Sequence, residues 1–217
     1  MKKFFLAFIV LVSFVSISAQ QKTAAVKLGL YSPQSTNAGF ILGYQGGKDI
    51  DENFEYGWSI DWFNKNYVDK KLEKEFDLAG FPNSELNELR AKTNIHNLPI
   101  AFSLIGRYNV NRNFDVYISG GFGVDVLLIF YRSYQNPDED NLKIAGDFAY
   151  LLSVGAIAPI GSRSEILAEL TYHSSKPSWQ YEVESVSPVT HLKTKKVFER
   201  AFDMSGIMAR IGFKFYY

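Results

Sequence analysis

Apolar and polar residues alternate with period two through segment after segment of this chain, and that pattern restricts the possible folds severely. In FEYGWSIDWFNK, residues 54–65, one face carries Phe54, Tyr56, Trp58, Ile60 and Trp62; the other carries Glu55, Gly57, Ser59, Asp61, Phe63 and Lys65. In NLPIAFSLIGRY, Leu98, Ile100, Phe102, Leu104 and Tyr108 oppose Pro99, Ala101, Ser103, Ile105 and Arg107. In FDVYISGGFGVDVLLIF, Phe114, Val116, Ile118, Phe122, Val124, Val126 and Phe130 oppose Asp115, Tyr117, Ser119, Gly121, Gly123 and Asp125. In SEILAELTYH, Ile166, Ala168, Leu170 and Tyr172 oppose Glu165, Leu167, Glu169, Thr171 and His173. Alternation of this length marks strands and excludes amphipathic helices. Weaker versions start at Ala24, Gly39 and Asp147, and the pattern returns in the final strand, predicted from about Ala201. Together these give about eight strands.

Residues 1–19 read as a secretory signal peptide. Lys2 and Lys3 precede the apolar run Phe4–Val15, and small residues lead to expected cleavage after Ala19. The run is short for an anchor spanning about 30 Å of hydrocarbon. Residues 20–217 form one predicted domain. That domain has no cysteine, so no disulfide supports it, and it lacks the long apolar run of a transmembrane helix. The 23 basic and 23 acidic residues balance, which gives no basis for a nucleic-acid partner. An exported chain of this kind is either a soluble β-protein or a β-barrel in a membrane.

The links between strands favour the barrel. GGKDIDEN, NVNRN and PIGSRS are brief and rich in turn residues, whereas 67–94 and 174–200 are long and charged. YRSYQNPDEDNLK is intermediate, and SPQSTN is brief. Short and long links largely alternate, as they do between the two rims of a transmembrane barrel.

The two faces agree with this reading. Aromatic residues sit at the strand ends of the apolar face: Phe54, Tyr56, Tyr108, Phe114, Phe130, Tyr172 and Tyr217. Such girdles mark both interfaces of a membrane. The opposite face carries Lys27, Lys65, Arg107, Arg210 and Lys214 against Glu55, Asp61, Asp115, Asp125, Glu165 and Glu169. A barrel of about eight strands has an interior just wide enough for side chains to fill. The expectation is therefore a lumen packed with a paired charge network, because buried charges are tolerable only when paired.

The C-terminal strand ARIGFKFYY, with Phe213, Phe215 and Tyr217 alternating back from the end, carries a resemblance. The chain resembles the small eight-stranded outer-membrane barrels of Gram-negative bacteria, the OmpA-type and porin-like families, over about 23–217. The resemblance implies an all-β, up-and-down antiparallel transmembrane barrel in the outer membrane, in contact with membrane lipid and lipopolysaccharide. It also implies that Phe213, Phe215 and Tyr217 are the signal read by the barrel-assembly machinery, and that long outer loops are available to an extracellular ligand. The resemblance does not extend to the peptidoglycan-binding domain of the larger OmpA-type proteins.

Other motifs carry less. His173 and Ser175, in YHSSKPS, resemble the His and Ser of outer-membrane lipid A deacylases, with Glu182 or Glu184 as the third member. However, the strand register turns His173 inward, away from lipid. Asp138, Glu139 and Asp140 lack calcium-loop spacing. GGFGVD lies within a strand and opens no helix, so Gly121 and Gly123 serve space or curvature rather than phosphate. NSELNELRAK suits a helical turn capped by Ser84. Lys193, Lys195, Lys196 and Arg200 either meet lipopolysaccharide phosphates or extend the last hairpin into solvent. His96, His173 and His191 have no metal spacing, and no cofactor is expected. Three functions follow in order: a non-enzymatic structural or surface-interaction barrel, a narrow porin-like channel, and a lipid A-modifying esterase.

Overall fold

The computed structural model describes residues 22–68, 92–111, 113–131, 141–186 and 193–217. The leader 1–19, the segment around Ser84 and the acidic residues Asp138–Asp140 lie outside them. Ten strands are arranged in one antiparallel sheet: β1 (Lys22–Pro33), β2 (Gly39–Asp49), β3 (Phe54–Val68), β4 (Lys92–Asn111), β5 (Phe114–Tyr131), β6 (Asn141–Gly161), β7 (Ser164–Ser174), β8 (Ser178–Val186), β9 (Lys193–Ala201) and β10 (Gly206–Tyr216). β1 to β7 pair in sequence order, β7 pairs with β10, and β10 returns to β1. Eight strands thus close an up-and-down barrel. β8 and β9 form a hairpin outside the ring, joined to β6 where Ser178 meets Gly146.

The seam explains why the last strand carries such regular alternation. Val26 faces Phe213, and Leu28 faces Ile211. At its end the Lys22 N–H donates to the Tyr217 carbonyl (3.2 Å) and the Tyr217 N–H to the Lys22 carbonyl (3.0 Å). Closure leaves no unpaired strand edge in the ring, the condition for a sheet in hydrocarbon. One rim holds this seam and the short links after β2, β4 and β6. The first of these is an Asx turn: Asp51 Oδ1 accepts from the N–H groups of Asn53 and Phe54, each at 2.8 Å. The longer links leave from the opposite rim.

The alternation sorts cleanly between outside and inside. Phe102, Phe122 and Phe148 stand outward at 61, 63 and 70% exposure, while Glu55, Asp61 and Asp125 are buried. A continuous outward belt of large apolar residues is a surface for lipid rather than water. β4 and β6, at 20 and 21 residues, are about twice the length a tilted strand needs to cross a membrane, so the wall rises past the belt on that flank.

Two expectations need correction. The final strand begins at Gly206, not near Ala201: Ala201 ends β9, and 202–205 continues the wall at the open-loop rim, bonded to 175–177 on one side and 34–35 on the other. The Phe202 N–H donates to the Pro177 carbonyl, Met204 N–H to Ser175, Gln34 N–H to Ser205 and Ser35 N–H to Asp203. Those bonds place Phe202 and Met204 inward, both buried. Second, the lumen is not filled by charge alone. Tyr31, Ile41, Phe63, Ile95, Leu127, Ile129, Met204 and Met208 make an apolar core inside the mouth.

Candidate functional site: the filled lumen

Below the apolar layer, the ion pairs are organised around two carboxylates. Glu169 on β7 is met by Lys27 Nζ from β1 at 2.9 Å and by Arg210 Nη2 from β10 at 2.6 Å. Arg210 Nη1 also reaches Asp61 on β3 at 2.5 Å, and the Tyr117 hydroxyl donates to Glu169 at 2.6 Å. Nearer the seam rim, Glu55 accepts from Lys214, from Arg107 at 2.9 Å and from the Thr23 hydroxyl at 2.5 Å. Arg107 adds a contact to Glu165 at 3.6 Å and donates to the Tyr216 hydroxyl at 2.7 Å.

Four cations, Lys27, Arg107, Arg210 and Lys214, therefore meet four carboxylates, Glu55, Asp61, Glu165 and Glu169. Each of the eight is paired, which offsets the cost of taking charges out of water. Small residues leave them room. A Cβ on Gly43 would lie 1.9 Å from Asp61 Oδ1, so glycine there admits the Asp61–Arg210 pair. Gly123 has a different role from spacing the lumen: its Cβ would meet the Ile100 carbonyl oxygen at 1.9 Å, a close approach of β4 and β5 backbones.

The remaining predicted lumen charges do not join this network. Lys65 stands at the open-loop end and donates to the Ala38 carbonyl at 2.8 Å. Asp115 sits at the opposite end, accepting from the Asn109 amide at 2.9 Å. Both are too near the strand ends to reach the central partners. Asp125 belongs to a third, separate group. Its Oδ2 lies 3.4 Å from His173 Nε2 and accepts the Ser175 hydroxyl. On its other side, His173 Nδ1 contacts the Tyr31 hydroxyl at 2.8 Å and the Met204 carbonyl at 3.0 Å. His173 is fully buried and Ser175 nearly so.

This third group contains a His, a Ser and a carboxylate, yet in the wrong order for catalysis. A nucleophilic serine gives its proton to histidine, which the acid orients from behind. Here Asp125 stands between Ser175 and His173. Asp125, fifty positions upstream of Ser175, is the carboxylate brought to this Ser and His; the expectation for Glu182 or Glu184 lies outside the described side chains. The side chains of Glu182, Glu184, Lys193, Lys195, Lys196 and Arg200 lie outside the described residues. Among the described residues, no cluster of His, Cys, Asp and Glu is arranged to hold a metal.

The space among Gln45, Glu55, Arg107, Tyr117 and Lys214 measures about 20 Å³, close to the room for one water. Sequence reasoning missed the apolar layer at the mouth. Its signal was the inward parity of Phe63, Leu127 and Ile129, large apolar residues without charges between them, whereas in the lower lumen the apolar cluster of Ala25, Ile105, Tyr117, Ile157 and Leu167 is interleaved with charge.

A closed ring of eight antiparallel strands, an outward apolar belt and a filled polar interior now stand together. The chain has the fold of a small outer-membrane β-barrel. A major outer membrane protein from Thermus thermophilus superposes with a TM-score of 0.60 at 10% identity, covering 92% of this chain and 100% of that one. The outer membrane protein OprG from Pseudomonas aeruginosa gives 0.57 at 16%, covering 92% and 97%. Neisserial surface protein A gives 0.55 at 9%, covering 92% and 98%. No protein-family model and no curated protein matches the chain. At these identities the likeness of the outer-membrane barrels extends to the fold, and function rests on the residues of this lumen and wall.

Proposed function

We propose that this protein is a non-enzymatic, non-conducting barrel of the outer membrane, exported by a cleaved leader, with a structural or surface-interaction role. The observation that carries this reading is the filled lumen. Eight paired charges occupy its middle and lower parts, and an apolar layer that includes the inward side chains of Phe202 and Met204 packs the open-loop end. A solute crossing it would have to break buried ion pairs and displace packed side chains, each expensive. The contact surface is then the outer wall and the open-loop rim. Outer-membrane lipid and lipopolysaccharide meet the belt, and an extracellular ligand meets the rim. Phe213, Phe215 and Tyr217 serve the assembly machinery during insertion, and the outward faces of Phe215 and Tyr217 suit that role.

The esterase reading is disfavoured by the buried Ser175–Asp125–His173 order, and the channel reading by the paired charges and packed side chains across the described lumen. Reconstitution of the refolded full chain in a planar bilayer tests the proposal. The expected record is free of steady conductance steps. Reproducible ohmic steps that scale with protein added overturn the plug and establish a pore.

A further inference from the structure

On one flank the outward wall changes character at the open-loop end. Going up β3, the outward residues run Trp58, Ile60, Trp62 and then Asn64 and Asn66; on β4, going the same way, they run Phe102, Ile100, Leu98 and then His96 and Asn94. The side chains at this switch are connected. Trp62 Nε1–H donates to His96 Nδ1 at 3.1 Å. The Asn64 amide donates to Asn94 Oδ1 at 2.9 Å and lies 3.1 Å from both ring nitrogens of His96. The His96 ring stacks on Trp62 at 6.0 Å and meets the edge of Phe130, from β5, at 5.4 Å.

We propose that this patch binds the uncharged saccharide headgroup of a lipid in the adjoining leaflet. Three features converge. The patch combines aromatic faces with side-chain amides. Aromatic faces carry partial negative charge and suit the polarised C–H groups of a sugar ring. Amides offer donors and acceptors together, as neighbouring sugar hydroxyls require. These five side chains bring no ammonium or guanidinium, Lys65 on β3 is turned to the inner side, where it binds the Ala38 carbonyl, and the side chain of Lys92, on the same face of β4 two positions before Asn94, lies outside the described residues. A phosphate headgroup would want such a cation.

The other flank lacks the combination among the described residues. At the same rim, the outward wall positions Leu30, Phe40, Ile207, Phe148 and Tyr150 are apolar or phenolic, and the exposed amides of Gln34 and Asn37 stand in the link after β1 rather than on the wall. The patch also faces sideways, directly above Leu98 and Trp62 of the belt. A lipid is therefore the natural source of the sugar: its acyl chains lie along the belt while its headgroup reaches Asn64 and Asn94. The five side chains are fixed on rigid strands and by one another, so little ordering remains to be done on binding.

The inference rests on membrane placement of the barrel, which heat-modifiable migration on a detergent gel reports separately. The test is native mass spectrometry of the full barrel in detergent. It is titrated with diglucosyl diacylglycerol or with phosphatidylglycerol bearing the same acyl chains. The expected result is retention of the glycolipid about tenfold stronger than the anionic lipid, a difference of about 1.4 kcal/mol. The double variant Asn64→Ala/Asn94→Ala, altered only at the outer surface, should lose that preference while still migrating as a folded barrel. Equal retention of the two lipids, stronger retention of the phospholipid, or a preference that survives the double substitution overturns the proposal. If the double variant fails to fold, Trp62→Leu replaces it with the same expected loss.

Discussion

Arg210 on β10 and Asp61 on β3 meet across the lumen at 2.5 Å, although 149 positions separate them in the chain. Both side chains are almost fully buried, and the other arm of the guanidinium holds Glu169 at 2.6 Å. The pair links opposite walls of the barrel through its interior, where solvent screening is weak.

Removing one partner is therefore expected to cost more than removing both. Asp61→Ala leaves four cations against three carboxylates in the central network and should destabilise the barrel by about 3–5 kcal/mol. Asp61→Leu combined with Arg210→Met should recover most of that loss. Urea unfolding of protein refolded in micelles reads both; a double variant less stable than Asp61→Ala contradicts the assignment.

Gly43 tests the same contact sterically. Its added Cβ would sit 1.9 Å from Asp61 Oδ1. Gly43→Ala should cost about 1–3 kcal/mol, as overpacking does. Asp61→Gly in the same chain should make the alanine tolerable. The unfolding midpoints of the single and double variants decide this.

Ser175 is expected to act as a hydrogen-bond donor to Asp125 rather than a nucleophile. A fluorophosphonate probe should leave Ser175 unlabelled, and Ser175→Ala should lower stability by about 1–3 kcal/mol because Asp125 loses a buried donor. Covalent labelling at Ser175 would reverse the assignment.

Asp203 lies in segment 202–205, in the wall at the barrel mouth. Partial burial raises its pKa, but hydrogen bonds from Ser205 and the Lys176 ammonium at 3.3 Å outweigh that, so the carboxyl lies below its ordinary value. A carboxylate depressed in the folded state stabilises it above the unfolded pKa, and the benefit is lost as pH falls through the folded value. The mouth segment should therefore loosen on acidification below the usual carboxylate range. Amide exchange of Met204 and Ser205 measures this, and Asp203→Asn should flatten the acid limb.

Tyr217 closes the seam through backbone bonds to Lys22 while its ring stands outward, 69% exposed. Tyr217→Ala should therefore refold in detergent with little loss. In cells it should accumulate unassembled if the assembly machinery reads this ring. Equal assembly of both forms in cells removes Tyr217 from that signal.

Much of the fold was legible because a strand has an exact side-chain period. Once Glu165 and Glu169 share a face, the face of Ile166, Ala168 and Leu170 follows, and the C-terminal alternation places Arg210 and Lys214 inside with no knowledge of neighbours. Closure was legible in part: the number of strands and the sorting of short and long links favoured a ring. The sequence by itself thus determined what is inside, what is outside, and that the inside is charged.

Glu165 and Glu169 on the preceding strand of the ring are the candidates that sequence offers to Arg210 and Lys214. Arg210 meets Glu169, while Lys214 turns to Glu55. Which charges meet across the lumen only the tertiary structure decided. Pairing across a lumen depends on stagger and height, quantities with no local signature, so Lys65 and Asp115 carried the right parity but stand at opposite rims. The same is true of Asp125, brought to His173 and Ser175 by closure alone. The apolar packing at the mouth was invisible for a related reason. Phe202 and Met204 lie in a segment without strand periodicity, turned inward by hydrogen bonds to Ser175, Pro177 and the link after β1. A local pattern assigns a side chain to a face; only the closed ring assigns it a partner.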